Sequence, residues 1–415
     1  MIDNLTKIDS YLMNLINKKK VLQLIRHHKE ISRSQLVKET KLTTPTITRI
    51  VDDLIVNDRI VKNIGFENSK AGRPSAIVGF NNKENFIIGI DLGATHIRGV
   101  LSDLEGSFLY EIQVPTEIEK GFEFIFENVI DIINKIRNRR GIDPDYIKGV
   151  GIGVAGLVNY KTGEVEFSPD FGWEGINLNL ELKKRLDIPF FFDNSSRLMA
   201  LGELEIGKFN NLTNFVVINI GYGIGAGFVL EGSVIKGYNG LAGELGHVLV
   251  DYKSTVQCKC GQYGCLEALA SGHRIASLGE KLIQNKKSAI LLELANANSG
   301  VVDAKIIALA AIKGDKECLK IYNEITEYLC IGIRDIVNIL NPEAIFIGGG
   351  ISFAGDFFFN LINEKIPAYL FKSKFKVPIY PATFGEHATL MGAISLVRNK
   401  ILNFELEYQL NEEKV

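Results

Sequence analysis

The 415-residue chain has few cysteines, no strong excess of either charge and no long apolar run. Five cysteines in such a length cannot build the disulfide framework that stabilises small secreted domains. No stretch approaches the roughly 18 consecutive apolar residues that a membrane-spanning helix requires. Nothing at the N-terminus resembles a secretory signal, so a cytoplasmic chain with no membrane partner is expected. The 46% hydrophobic content is ample for the cores of two or three domains. The net charge is only −2, but it is unevenly spread. Residues 1–80 hold 14 Lys and Arg against 8 Asp and Glu, and the remainder holds 33 against 41. A basic segment ahead of an acidic body points to a polyanion partner for that segment alone.

The scarce cysteines are not scattered. His247, Cys258, Cys260 and Cys265 follow the spacing His-x10-Cys-x-Cys-x4-Cys, which supplies one imidazole and three thiolates. That donor set suits a closed tetrahedral zinc site. Small buried cysteines or a disulfide would be the plainer reading, but disulfides are rare in a cytosolic chain. Four protein ligands leave no open position for a catalytic water, so the zinc is expected to be structural. Glu244 and Glu267 bracket the cluster without being needed to fill it. They are free to face a polar ligand such as a sugar while the metal holds their loops. Cys318 and Cys330 stand alone and read as core residues.

The basic segment reads as three short helices between Ile16 and Asn57. Val21, Leu24 and Ile25 form one stripe over Lys18–His28. Ser32 and Gln35 have capping-box spacing for a second helix, Arg33–Thr40. Thr44 is the expected N-cap of a third, with Pro45 at its first position. Its apolar residues Ile47, Ile50, Val51, Leu54 and Ile55 recur at helical spacing. Thr44, Thr46, Thr48 and Arg49 are left around the exposed start, a set suited to base edges and phosphates. Arg59–Lys62 and Ser75–Phe80 read as two strands of a wing flanking a tip with Lys70, Gly72, Arg73 and Pro74. Arg73 on such a tip can enter a minor groove. A three-helix module that touches no nucleic acid is the alternative; the basic balance, the hydroxyl-rich helix start and the tip favour double-stranded DNA.

From Asn85 the pattern turns to strands. Phe86–Asp91, His96–Leu101 and Leu109–Val114 precede a helix near Phe122–Asn138 and a strand at Ile147–Val154, a βββαβ unit. The arrangement partly recurs: Phe215–Ile220 is a strand, 221–227 a glycine-rich turn, and Phe228–Leu230 leads back. A long helix near Cys318–Leu340 and the strand Ala344–Ile347 follow. Two such lobes suggest an actin-like, sugar-kinase α/β architecture with ligands in the cleft between them. Gly151-Ile152-Gly153-Val154-Ala155-Gly156 matches the dinucleotide fingerprint, which needs a helix opening directly after it. The turn Lys161-Thr162-Gly163 follows instead, so no nicotinamide cofactor is expected.

Over nearly its full length the chain resembles the ROK family of repressors, open reading frames and kinases, in its transcriptional-repressor branch. The resemblance rests on the winged helix ending in Gly72-Arg73-Pro74, the Asp91-Leu92-Gly93 loop, the Glu244-x-Gly-His247 motif and the Cys258-x-Cys260-Gly-x-x-Gly-Cys265-x-Glu267 motif. It implies a winged helix-turn-helix DNA-binding domain over residues 1–82. A two-lobed, sugar-binding actin-like domain would follow over 83–415, with its zinc motif at 247–265. It further implies that His247, Cys258, Cys260 and Cys265 hold zinc and that Asn194, Glu244, His247 and Glu267 bind the sugar hydroxyls. One nitrogen of His247 would face the metal and the other the sugar.

Family kinases carry an aspartate base where this chain has Ser195, and a hydroxyl cannot take that proton near pH 7. Asp193 is a poor substitute, since two residues along an extended chain place it roughly 6–7 Å away. Relative to the kinases, Ala94 replaces a glycine, His96 a lysine and Tyr222 a threonine in the phosphate loops, so ATP is not expected to bind. The resemblance therefore implies a non-enzymatic, sugar-responsive repressor of a carbohydrate operon. Its expected partners are an operator, a neutral monosaccharide such as xylose, and further copies of the chain in a homodimer or higher homo-oligomer. The alternative is an ATP-dependent sugar kinase carrying an added DNA-binding domain.

Overall fold

The computed structural model describes residues 10–67, 74–82, 84–209, 211–371 and 376–404. The expected tip with Lys70, Gly72 and Arg73 lies outside them. Among the described residues no helix is long and apolar enough to cross a membrane.

Helix α1 (Ser10–His28) begins more than two turns before the apolar stripe that announces it and buries Val21, Leu22 and Ile25. Strand β1 (Glu30–Ser32) follows, and Ser32 caps α2 (Arg33–Thr40) by accepting from the Gln35 backbone N–H at 3.2 Å. The expected cap of α3 (Thr44–Val56) shifts by one residue. Thr43 is extended and accepts from the Thr46 N–H, so Thr44 and Pro45 are the first two helical residues. The buried stripe Ile47, Ile50, Val51 and Leu54 is as expected, with Ile55 half-buried at its edge. Strands β2 (Val61–Phe66) and β3 (Ala76–Phe80) pair antiparallel, and β1 adds to the far side of β3.

The body contains one sheet plan used twice. Strands β4 (Phe86–Leu92), β5 (His96–Asp103) and β6 (Phe108–Pro115) form a meander, which helix α4 (Gly121–Arg137) follows. Strand β7 (Ile147–Val154) then lies parallel to β4. A small antiparallel excursion comes next: β8 (Leu157–Asn159), β9 (Glu164–Ser168) and β10 (Trp173–Asn177). The fingerprint-like glycines thus run from a strand into another strand. Helix α5 (Leu178–Lys183) and strand β11 (Phe190–Asn194), parallel to β7, complete the sheet in the order β11-β7-β4-β5-β6.

Helix α6 (Ser195–Ile206) leads to the second sheet. There β12 (Phe215–Ile220), β13 (Ile224–Leu230) and β14 (Ser233–Val234) again form a meander. Helices α7 (Leu266–Ala270), α8 (Gly272–Gln284), α9 (Ala289–Ala297), α10 (Ala304–Ile312) and α11 (Lys316–Leu340) precede β15 (Ala344–Gly348), which is parallel to β12. Helix α12 (Asp356–Lys365) and β16 (Ile379–Pro381), parallel to β15, finish it. Read from β16 to β14, strand order and sense repeat those of the first sheet. The recurrence is therefore fuller than the sequence pattern suggests. The glycine-rich turn is also shorter than expected, because Ile224 to Gly227 already belong to β13.

The helix after the last strand of each sheet packs on the other sheet. Helix α6 lies on β12 and β13, while α13 (Ala388–Leu402) lies on β4 and β7. The two cross at Gly202 and Gly392. A Cβ on Gly392 would stand 1.8 Å from the Leu198 carbonyl oxygen, so only glycine permits this approach. Val397, Ile401 and Leu402 of α13, and Phe404 beyond it, share one apolar cluster with α1 to α3. Cys318 and Cys330 are fully buried on α11.

Candidate functional site

The His-Cys cluster is assembled by short elements that have little apolar core of their own. His247 ends a single 3-10 turn, Leu245–His247, and Cys265 stands just before α7. Cys258 and Cys260 sit on a tight loop closed by Cys258 N–H to Gln262 O (2.7 Å) and Gly261 N–H to Cys258 O (2.9 Å). The four ligand atoms all lie within 4.8 Å of one another. Cys260 Sγ is 3.8 Å from Cys265 Sγ, and Cys258 Sγ is 3.6 Å from His247 Nδ1. Two sulfurs at about 2.3 Å from one tetrahedral ion stand about 3.8 Å apart, so the spacing fits zinc. Burial pushes the Cys265 thiol up to about 12, and the neighbouring Cys258 adds to it. A dication is what would hold thiolates together in this space.

Nε2 of His247 points the other way, 4.0 Å from Glu244 Oε2. One ring thus faces the sulfurs with Nδ1 and a carboxylate with Nε2. Glu244 precedes the 3-10 turn, and Glu267 is in the first turn of α7. Glu267 Oε2 accepts from the Ile224 backbone N–H at 2.8 Å. Burial raises both carboxyls above the ordinary glutamate range, and His247 offsets part of the shift in each. Acids held this way are strong acceptors for neutral hydroxyls.

Both carboxylates and His247 open on a cleft of about 970 Å³ between the two sheets. Asn194 lines it from the other lobe, so all four expected sugar ligands come together. Asn194 is also the N-cap of α6: its Oδ1 accepts from the Ser196 and Arg197 N–H groups, and its Nδ2 donates to Gly156 O at 2.8 Å. One amide hydrogen is left for a ligand. Ser195 is beside it in the same cleft, 7% exposed, and its Oγ makes no hydrogen bond among the described residues. Asp193 is engaged elsewhere. Its carboxylate pairs with Arg197 Nε at 2.6 Å and Lys236 Nζ at 3.0 Å. The i,i+4 spacing of Asp193 and Arg197 was the available signal for that pair, which sequence reasoning missed.

Asp91, Ala94, His96 and Tyr222 also line the cleft. The Tyr222 ring packs against His273, with centroids 4.8 Å apart, and Lys259 lies over it at 4.2 Å. Asp91 is pushed up to about 6 by burial, with the Arg98 guanidinium pulling it back only in part.

Away from the cleft, Thr44, Thr48 and Arg49 are exposed at the start of α3, and Thr46 is half-buried. Thr46 Oγ1 bonds the capping Thr43 Oγ1 at 2.9 Å. Arg49 donates to Asn14 Oδ1 of α1 at 3.0 Å, a contact with no sequence signal.

Residues 87–400 match the model of the ROK family. The chain belongs to the ROK family. Its body is accordingly the ROK version of the actin-like, sugar-kinase α/β fold. It is 31% identical over 394 residues to a xylose repressor of Caldicellulosiruptor bescii, covering 95% of this chain and 98% of that one. It is also 31% identical to a glucokinase of Halalkalibacterium halodurans, but over 323 residues, 76% of this chain and 96% of the kinase. Among solved structures, a ROK family transcriptional regulator homologous to the E. coli Mlc protein superposes with a TM-score of 0.78. It has 28% identity and covers 96% of this chain and 99% of that one. The ROK relative named a repressor thus extends over nearly the whole chain, while the kinase leaves about a quarter of it unmatched.

Proposed function

We propose that this ROK protein is a sugar-responsive transcriptional repressor. Residues 1–82 act as a winged helix-turn-helix domain and residues 83–415 as the effector-binding domain. Thr44, Thr46, Thr48 and Arg49 of α3, with Arg73 of the wing, contact double-stranded operator DNA. A cytoplasmic homodimer, or a dimer within a higher homo-oligomer, presents two such helices to successive major grooves. Asn194, Glu244, His247 and Glu267 bind a neutral monosaccharide, with xylose the first candidate in view of the relatives named xylose repressors. Structural zinc on His247, Cys258, Cys260 and Cys265 fixes the loops that carry three of those groups.

Ser195 is the observation that carries the non-enzymatic reading. At the position of the family's base stands a buried hydroxyl with no partner among the described residues. It can exchange a hydrogen bond with a sugar, but it cannot accept the sugar's proton and so start phosphoryl transfer. The kinase reading keeps some support from the intact cleft and from the glucokinase relatives. Fluorescence anisotropy on an operator fragment, with and without xylose, glucose and N-acetylglucosamine, tests the repressor, alongside an ATP-turnover assay with the same sugars. One sugar should change operator affinity while no ATP is consumed. Sugar-dependent turnover of ATP would falsify the non-enzymatic reading.

A further inference from the structure

Across the cleft from Glu267 is a further carboxylate. Asp170 lies in the loop between β9 and β10, on the opposite lobe from the His-Cys cluster, and lines the same cleft. Gly223 marks how close the two acids come. A Cβ built on it would stand 2.3 Å from Glu267 Oε2 and 3.8 Å from Asp170 Oδ2. Asp170's other oxygen, Oδ1, accepts from Lys259 Nζ at 2.8 Å. Lys259 lies between Cys258 and Cys260, so this bond joins the metal loop of one lobe to the rim of the other.

The rim itself is held firmly. Ser168, two residues before Asp170, is fully buried and donates to Ala155 O at 2.7 Å. Phe171, the next residue, stacks on Trp173 at 4.5 Å, and Trp173 meets Phe122 of α4 edge-on at 5.3 Å. Asp170 is therefore a carboxylate on a rigid mount, with one oxygen steered by an ammonium and the other facing the cleft. An ion pair this open to solvent contributes little to stability by itself. Its worth lies in aiming the carboxylate.

Building on the sugar-binding reading, we propose that Asp170 is a further sugar contact, and that Lys259 is the positioning residue that aims it. A hydroxyl held between Asp170 and Glu267 would tie the two lobes together. Closure of the cleft would then depend on a ligand that offers a hydroxyl at that point, which makes Asp170 a specificity determinant for a polyhydroxylated neutral ligand.

Isothermal titration calorimetry of the full-length, zinc-loaded protein with xylose and glucose tests this, together with metal analysis and sugar-free operator affinity. Asp170→Asn should weaken sugar binding about tenfold, the loss of one hydrogen bond to a charged group. Lys259→Met should weaken it about threefold and Lys259→Arg should restore it, while zinc content and sugar-free operator affinity stay unchanged. Within a series of monodeoxy sugars, the one lacking the hydroxyl that Asp170 receives should bind wild type and Asp170→Asn equally. Wild-type binding that Asp170→Asn leaves unchanged overturns this inference alone, as does loss of zinc in that variant. A wild-type protein that binds no sugar overturns both the inference and the reading beneath it.

Discussion

Asp91, the penultimate residue of β4, lines the cleft, and its raised value of about 6 has a thermodynamic consequence. Between 3.8 and about 6 the folded chain keeps a proton that the unfolded chain has lost. Stability therefore falls as pH rises through that window and stays reduced above it. Asp91→Asn removes the charge at constant shape, so it should raise stability at pH 7.5 and leave it unchanged near pH 4. The gain should be about 1 kcal/mol, well below the full shift because the cleft admits water to the carboxyl, or roughly 1–2 °C in Tm. Thermal melts at the two pH values decide it. Equal increments at both would show that some other property of the side chain is responsible.

The cluster makes a different kind of demand. Cys260→Ser leaves three ligands for a closed site and a weaker donor in the fourth position. Zinc content and sugar affinity should fall together, because the cluster places His247 and, through the turn and α7, Glu244 and Glu267. Atomic absorption paired with calorimetry reads both quantities. A zinc-free variant with normal sugar affinity would show that these loops hold themselves.

At the scale of the element, α3 separates stability from recognition. Thr43→Ala removes the cap that satisfies the Thr46 N–H and should cost about 1 kcal/mol in chemical denaturation. Arg49→Ala, on an exposed face, should leave stability nearly unchanged and weaken operator binding. Equal operator affinity in that variant would remove Arg49 from the proposed interface. The cap was readable in sequence only to within one residue, since Thr43 and Thr44 both precede Pro45 and either could serve. Strands β4, β12 and β15 were readable because each is a nearly continuous apolar run, whereas β9, β10 and β11, five residues each, went unread. Strands β1, β14 and β16 span three residues or fewer, too short for a two-residue period to register. The glycines of 221–227 misled for a different reason. Gly225 and Gly227 lie on the face of β13 that receives α6, where a Cβ would stand 2.4 Å from Ser196 Oγ and 2.5 Å from Ala200 Cβ. They record close helix packing, which a sequence shows in the same letters as a turn. The candidate site was more legible than the fold around it, because metal ligands and their spacing are local. The contacts that escaped, Asp170 with Lys259 and Arg49 with Asn14, join residues far apart in the chain.

At the scale of the molecule, one helix joins the cleft to the N-terminal helices. Ala388 and Thr389 at the start of α13 line the cleft. Fifteen residues later, about 22 Å along the axis, the helix ends beside α1. Phe404, just past that end, is buried beneath the Lys18 ammonium, which lies 4.5 Å from the ring centroid. Lys18 also pairs with Asp53 on α3 at 2.6 Å and with Asp58 at 2.7 Å, and it is almost wholly buried. Movement of α13 on closure of the lobes would thus reach the helix proposed to read DNA through a charged contact and an apolar one. Spatial continuity alone does not establish coupling, so the node has to be perturbed without emptying the core. Phe404→Leu keeps an apolar side chain there and removes the cation–π contact. Sugar affinity should stay at its wild-type value, while the ratio of operator affinities without and with sugar should shrink about threefold, a modest share of a typical coupling energy. Anisotropy titrations with and without sugar measure that ratio directly. If the ratio keeps its wild-type value in the variant, the signal travels by another route, and the crossing of α6 and α13 at Gly202 and Gly392 is the next place to perturb.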